Sequence, residues 1–116
     1  MTVTIRLGIL VVAALVGWVH VTVAAPAKGN PEAGKKLFIE SCQHCHGQKG
    51  DGQSEMAGYL TPPPSNLTVK ATQAKTDAQL RAIIAEGKAG TAMSGFGGSF
   101  EETQLNDLVA FLRSLK

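Results

Sequence analysis

The feature that most constrains the fold is the run SCQHCHG at residues 41–47, which contains both cysteines of the chain. Cys42 and Cys45 are three residues apart, and His46 directly follows the second thiol. The next residues, QKGDG, are too polar and too rich in glycine to form core. A chain of 116 residues forms one domain at most. A domain of this size buries a modest core and usually needs disulfides, a metal or a cofactor as well. The two thiols therefore indicate what the fold is built around.

The N-terminal segment has the pattern of a secretory signal peptide. Arg6 is its only charged residue before Lys28, and the apolar run LGILVVAALVGWV is followed by the small residues of VTVAAPA. Cleavage after Ala24 leaves residues 1–24 as the signal peptide and residues 25–116 as the mature domain, and Ala27 offers an alternative site. A retained membrane anchor is the other interpretation, because the apolar stretch nearly reaches the roughly 20 residues that span a bilayer. Both interpretations place the domain outside the cytoplasm, in the periplasm, and only the second predicts membrane association.

The charge of the mature part excludes one class of partner. It carries ten Lys and Arg, the eleven of the chain less Arg6, against nine Asp and Glu. No basic patch with interleaved aromatic residues accompanies this near balance. We therefore expect no nucleic-acid partner.

Two helices have clear start signals. Asn30 is a good N-cap with Pro31 at the first helical position, ahead of the helical run PEAGKKLFIESC. Thr76 and Gln79 form a capping box before the apolar stripe of TDAQLRAIIAEG, and Gly87 is a plausible end of that helix.

A third helix is predicted to begin at Ser99, with Glu102 as its capping partner and apolar residues at helical spacing up to the C-terminus. The long connection at residues 47–75 contains three consecutive prolines at 62–64, which exclude a regular helix there. No stretch alternates as a strand would. We therefore predict an all-α domain of three main helices with long loops, and loops of this length indicate a functional role.

Three chemistries compete for the cysteine motif. A redox dithiol requires the motif to follow a strand and open a helix, whereas here it closes one. A zinc site would have to use Cys42, Cys45, His44 and His46, the only Cys and His after the leader, and they are too crowded for a tetrahedron. C-x-x-C-H is the attachment signature of c-type haem, with the histidine as an iron ligand. Haem attachment explains the spacing best.

A second iron ligand would have to come from elsewhere in the chain. His44 lies between the two thiols and cannot reach across the ring. Met56 lies in the polar connection and has an alternative role as an ordinary core thioether. Met93 lies in the glycine-rich loop GKAGTAMSGFGG, where no apolar stripe accounts for it and where glycines permit close approach of a flat ring.

The order of these motifs resembles that of the small class I c-type cytochromes. The resemblance covers nearly everything after the leader, through the segments GKKLF, CQHCHG, GDG, LTPPPSNLT, AEGKAGTAMSGFGGSF and LVAFLRSL. It implies the cytochrome c fold, with the three helices and their loops wrapped around one covalently bound haem c.

The resemblance also implies roles for particular residues. Cys42 and Cys45 are the thioether anchors, His46 is the proximal ligand, and Met93 is the distal ligand. A proline carbonyl orients the proximal imidazole. The three consecutive prolines at 62–64 compete for this role, and Pro63 or Pro64 is favoured. Tyr59, Leu67 and Phe96 are the remaining haem-pocket candidates. The first and last helices are expected to cross, with Gly34 and Phe38 packing near Phe111 and Leu112.

These assignments predict one-electron transfer, because both axial positions of the iron are filled and no site for a substrate remains. The expected protein is a periplasmic electron carrier, not an enzyme, that docks transiently with redox partner proteins at the haem edge. Lys35, Lys36, Lys49 and Lys88 are candidates for the rim of the docking face. Two alternatives remain: a haem subunit held in a larger oxidoreductase complex, and a haem sensor in which Met93 detaches, which carbon monoxide binding would reveal.

Overall fold

The computed structural model describes residues 28–116, so the predicted signal peptide or anchor lies outside the described residues. The helices of this part are α1 (Pro31–Ser41), α2 (Gln43–His46), α3 (Lys70–Gln73), α4 (Asp77–Glu86) and α5 (Glu102–Ser114), with a 3-10 turn at Met56–Tyr59. Residues 28–116 form no strand, and their only β-type pairing is an isolated bridge between Gly87 and Ser94. The predicted all-α class with three main helices is confirmed. No helix within these residues combines the length and the apolar character needed to cross a membrane.

The predicted caps of α1 and α4 are confirmed. The Asn30 side chain accepts hydrogen bonds from the backbone N–H groups of Glu32, at 2.9 Å, and Ala33, at 3.3 Å. At α4, Thr76 and Gln79 form the capping box. These caps satisfy backbone donors that have no partner inside their helices, which is why the helices begin at these residues.

The predicted start of the third helix at Ser99 is wrong, since α5 begins at Glu102. The backbone N–H groups of Ser99 and Phe100 both donate to the Phe96 carbonyl at 2.9 Å, which closes a tight turn ahead of the helix. This turn stacks the rings of Phe96 and Phe100 with their centroids 5.4 Å apart. Gln104, not Glu102, caps the helix by accepting from the Glu101 N–H at 2.8 Å.

The core centres on the crossing of α1 and α5, the most extensive contact between helices in the described part of the chain. Phe38 is 1% exposed, and its ring centroid lies 5.1 Å from that of Phe111. The predicted contact of Phe38 is therefore confirmed. Gly34 contacts α5 about one turn before Phe111 and Leu112, against the backbone of Asp107 and Leu108.

Arg113 joins the C-terminal helix to the turn between α3 and α4. Its guanidinium donates to the Gln73 carbonyl at 2.7 Å, to the Asp77 carboxylate at 2.9 Å and to the Lys75 carbonyl. Because the planar guanidinium presents several donors at once, one side chain holds three points of the turn. This contact sets the start of α4 relative to α5.

Candidate functional site

A cavity of about 420 Å³ lies between α1, α4, α5 and the long loops. Its lining is mostly apolar and includes most of the residues singled out from the sequence. The lining residues include Cys42, Cys45, His46, Pro63, Pro64, Ser65, Leu67, Lys75, Leu80, Ile83, Ile84, Lys88, Thr91, Met93 and Phe96.

Helix α2 brings the cysteines and the histidine to the cavity together. Cys42 both ends α1 and precedes α2, and its carbonyl accepts from the N–H groups of Cys45 at 3.2 Å and His46 at 3.0 Å. This single helical turn places the two thiols and the imidazole in one lining. The two cysteines are not joined by a disulfide.

The environment of Cys42 does not match that of a redox dithiol. Burial, together with the smaller effect of the neighbouring Cys45, raises the pKa of its thiol to about 11. Reactive dithiols have the opposite property, a lowered pKa that makes the thiolate available at neutral pH. The thiol of Cys42 is therefore protonated at neutral pH, which argues against the dithiol interpretation.

The His46 imidazole is oriented by a backbone carbonyl. Its Nδ1 lies 3.0 Å from the carbonyl oxygen of Ser65. Because the carbonyl oxygen can only accept, Nδ1 is the donor of this hydrogen bond, and Nε2 is the ring nitrogen that could bind an iron. The geometry is that of a metal-binding histidine with a supporting acceptor.

The acceptor differs from the predicted Pro63 or Pro64, and that prediction is wrong. The Pro64 carbonyl is directed at the backbone of Gly52, where a β-carbon would stand only 2.9 Å from its oxygen. The next carbonyl, that of Ser65, therefore faces the imidazole. Both prolines nevertheless line the cavity, as expected of pocket residues.

The loop that carries Met93 is folded back onto the end of α4. The Lys88 N–H donates to the Met93 carbonyl at 3.0 Å, and the Met93 N–H donates to the Thr91 hydroxyl at 3.1 Å. Gly87 has φ +78, and a β-carbon there would stand 2.6 Å from the Met93 carbonyl oxygen, so only glycine fits. These contacts hold Met93 in the cavity lining.

Leu67 and Phe96 also line the cavity, but Tyr59 does not. Tyr59 is 80% exposed and lies with Met56 beside a separate, open surface groove that also includes His44. The Ser54 hydroxyl directs this segment outward, since it donates to the Cys45 carbonyl at 2.8 Å and accepts from the Ala57 N–H at 3.0 Å. The prediction of Tyr59 as a pocket residue is wrong.

Ser65 and Lys75 are among the lining residues that were not predicted from the sequence. Ser65 acts through its carbonyl, which every residue possesses, so no side-chain pattern could have marked it. Lys75 directly precedes the N-cap Thr76 of α4, whose apolar stripe faces the cavity. Its position beside that cap was the one feature of the sequence that could have predicted its place in the lining.

The donor set fits a covalently attached haem and does not fit a metal ion bound by protein side chains alone. Residues 28–116 contain no cluster of three or more His, Cys, Asp or Glu side chains that could bind a metal ion. The cavity does contain two thiols, one oriented imidazole and one thioether among apolar side chains. Thiols add to the vinyl groups of haem, while imidazole and thioether are axial ligands of its iron.

Comparison with known proteins agrees with this chemistry. Residues 29–112 match the family model described as cytochrome C oxidase, cbb3-type, subunit III. The chain is 31% identical over 88 residues to the dihydro-heme d1 dehydrogenase of Pseudomonas aeruginosa, covering 76% of this chain and 16% of that protein. It is 32% identical over 83 residues to the cbb3-type cytochrome c oxidase subunit FixP of Bradyrhizobium diazoefficiens, covering 71% of this chain and 26% of that protein. The chain thus spans only a small part of the length of these two relatives.

Two solved structures have similar folds. One is a chain of the Kuenenia stuttgartiensis reducing HAO-like protein complex Kustc0457/Kustc0458, with a TM-score of 0.67 and 25% identity over 79% of this chain and 45% of that chain. The other is the KustC0563 c-type cytochrome, with a TM-score of 0.60 and 26% identity over 72% of this chain and 96% of that chain.

Proposed function

The chain belongs to the cytochrome c oxidase, cbb3-type, subunit III family, and on that premise we propose that it is a periplasmic electron carrier whose haem lies in the cavity described above. Its family and its structural relatives make it a small c-type cytochrome with the cytochrome c fold. Its cofactor is covalently bound haem c, and its function is electron transfer. Haem c supplies one iron that gains and loses a single electron.

The proposal assigns four residues to the haem. Cys42 and Cys45 would form the thioether bonds to the haem, and His46 and Met93 would bind its iron. The observation that supports this assignment is their meeting in one cavity lining, although Met93 comes from a loop far along the chain.

The remaining lining sets the properties of the iron. The Ser65 carbonyl holds the His46 ring in one tautomer and orientation. Apolar side chains such as Leu67 and Phe96 line the site and would keep water from the bound haem. Thioether ligation and a dry pocket both favour the reduced state and raise the reduction potential. With His46 and Met93 both bound to the iron, the domain would carry electrons and have no catalytic activity of its own.

The location of the carrier follows from the N-terminal segment. Residues 1–24 direct export, and the mature domain works in the periplasm with redox partner proteins that dock transiently at the haem edge. The pattern of Arg6, an apolar run and small residues supports this proposal. Fractionation of cells and N-terminal sequencing of the mature protein would test it.

A second candidate is a haem subunit held in a larger oxidoreductase complex. It is favoured by the relatives, because FixP is an oxidase subunit and the structurally similar Kuenenia chain is part of a complex. Co-purification with a larger enzyme, in a form that survives high salt, would favour this candidate over the transient carrier.

The assignment is tested by absorption spectra of the oxidised and reduced protein, made in a host with c-type haem maturation. We expect covalent haem with a low-spin spectrum and a weak sulfur-to-iron band that disappears in Met93→Ala. Met56→Ala is the matched control, because Met56 is 42% exposed outside the cavity, and it should retain the band. High-spin wild-type iron that readily binds carbon monoxide would contradict the carrier and favour the sensor. Absence of haem would contradict the assignment of the cavity.

A further inference from the structure

The cavity contains an unbalanced set of charges. Among residues 28–116, the only Lys, Arg, Asp or Glu residues that line it are Lys75 and Lys88. No aspartate or glutamate lines it. A site whose fixed charges are both cations is suited to a ligand that brings its own negative charges.

The two lysines bracket the helix that faces the cavity. Lys75 directly precedes the N-cap Thr76 of α4, and Lys88 directly follows its C-cap Gly87. Between them, α4 contributes Leu80, Ile83 and Ile84 to the lining, and a helix of this length extends over about 15 Å. The two lysines therefore contribute to the lining at the two ends of this apolar wall.

The backbone of each lysine is fixed. The Lys75 carbonyl accepts from the Arg113 guanidinium. The Lys88 carbonyl accepts from the Thr91 hydroxyl at 2.8 Å, and its N–H donates to the Met93 carbonyl. Each side chain thus starts from a held position in the cavity lining.

Neither ammonium is engaged by a carboxylate of the described residues. The ion pairs of residues 28–116 are made by Arg81 with Glu102 and by Arg113 with Asp77. The Lys75 Nζ donates to the Ala71 carbonyl at 3.2 Å, a contact from which an exposed lysine side chain is easily released. Both cations are available to an anion at the mouth.

Haem carries two propionate carboxylates on one edge of the ring. We infer that Lys75 and Lys88, whose side chains reach inward from the two ends of α4, bind these two propionates. This inference rests on the proposed placement of the haem in the cavity. A carboxylate close to the apolar wall would be costly without a partner, and a lysine ammonium supplies both charge and hydrogen bonds.

The contact has a consequence for the iron. Two propionates near the ring stabilise the more positive ferric state, and the paired ammonium groups offset that effect. Replacing either lysine with a neutral residue therefore favours the ferric state and lowers the reduction potential.

The test is a redox titration of the purified holoprotein as wild type, Lys75→Gln, Lys88→Gln and the control Lys70→Gln. Lys70 is exposed and lies outside the cavity lining, so its replacement makes the same charge change elsewhere. We expect each cavity variant to reduce the equilibrium constant for reduction about threefold or more beyond the control. This corresponds to about 28 mV, at 59 mV per tenfold change for one electron. The low-spin spectrum of these variants should be unchanged. Lys88→Arg keeps the positive charge and should therefore have the reduction potential of the wild type.

The inference would be overturned if neither cavity variant changes the reduction potential, relative to wild type, by more than Lys70→Gln does. If a glutamine variant fails to accumulate haem, a crystal structure of the wild-type holoprotein would test the inference instead, through the distances between the lysine ammonium groups and the propionates. Ammonium nitrogens within about 4 Å of the propionates would support the inference, and both beyond that distance would overturn it. Failure of the proposed haem site would already be seen in the wild type, as the absence of covalently bound haem or of a low-spin spectrum. It is therefore distinguishable from failure of the inference about the lysines, which concerns only the potentials of the variants.

Discussion

Gly34 of α1 lies directly against Asp107 of α5, so closely that a β-carbon on Gly34 would stand 1.9 Å from the Asp107 carbonyl oxygen. The approach of the two backbones brings Phe38 onto Phe111 one turn later. Because α1 ends at Cys42, the same contact also positions the thiols at the cavity.

We predict that Gly34→Ala lowers the free energy of unfolding of the holoprotein by about 1–3 kcal/mol or more, because the methyl group overlaps backbone that cannot move aside. The better helix propensity of alanine, about 1 kcal/mol, recovers only part of this loss. Urea or guanidinium unfolding followed by circular dichroism would measure the change.

Gly98→Ala is the control for that substitution, since nothing lies within 4 Å of a β-carbon at Gly98 and its φ is not positive. Its effect should stay within about 0.5 kcal/mol. Equal effects at the two glycines would contradict the close-approach argument.

Phe38→Ala is expected to lower the free energy of unfolding by about 3–5 kcal/mol, since the ring is buried at the crossing of α1 and α5. The neighbouring Ile39 is 45% exposed, so Ile39→Ala should cost clearly less. Chemical denaturation of the two holoprotein variants compares them, and a smaller loss at Phe38 than at Ile39 would place the core elsewhere.

Arg113→Gln should lower the free energy of unfolding by about 1.5–3 kcal/mol, because two backbone carbonyls and one carboxylate lose a charged donor. Asp77→Asn removes only the exposed ion pair and should cost less than about 1 kcal/mol. Thermal unfolding of both variants separates the two contributions. If Asp77→Asn costs as much as Arg113→Gln, the carbonyl contacts contribute little.

Met93→His should lower the reduction potential while the iron stays low-spin, because an imidazole favours the ferrous state less than a thioether does. We expect a reduction in the equilibrium constant of more than tenfold, over about 59 mV for one electron. Redox titration measures it, with Met56→Leu as the control that should leave the potential near that of the wild type. A potential unaffected by Met93→His would exclude Met93 as a ligand.

The candidate site could be read from the sequence where function depends on the kind of side chain. Thiol, imidazole and thioether groups are rare in this chain, so the motif at 42–46 and Met93 were informative as residues. Ser65 could not be predicted in this way, because its carbonyl is chosen by the path of the backbone beside Gly52. Tyr59 was predicted to line the pocket but lies on the surface. The sequence could not distinguish the two positions, because an aromatic residue near the motif suits either equally well.

The sequence by itself determined the helical class, the caps of α1 and α4, the haem-attachment motif and the family resemblance, because each depends on residues close together in the chain. The tertiary structure decided the start of α5 at Glu102, the outward position of Tyr59 and the presence of Lys75 and Lys88 in the cavity lining. The physical reason is that these features depend on which distant backbone segments meet. A local pattern specifies what a segment can form, and packing decides what it faces.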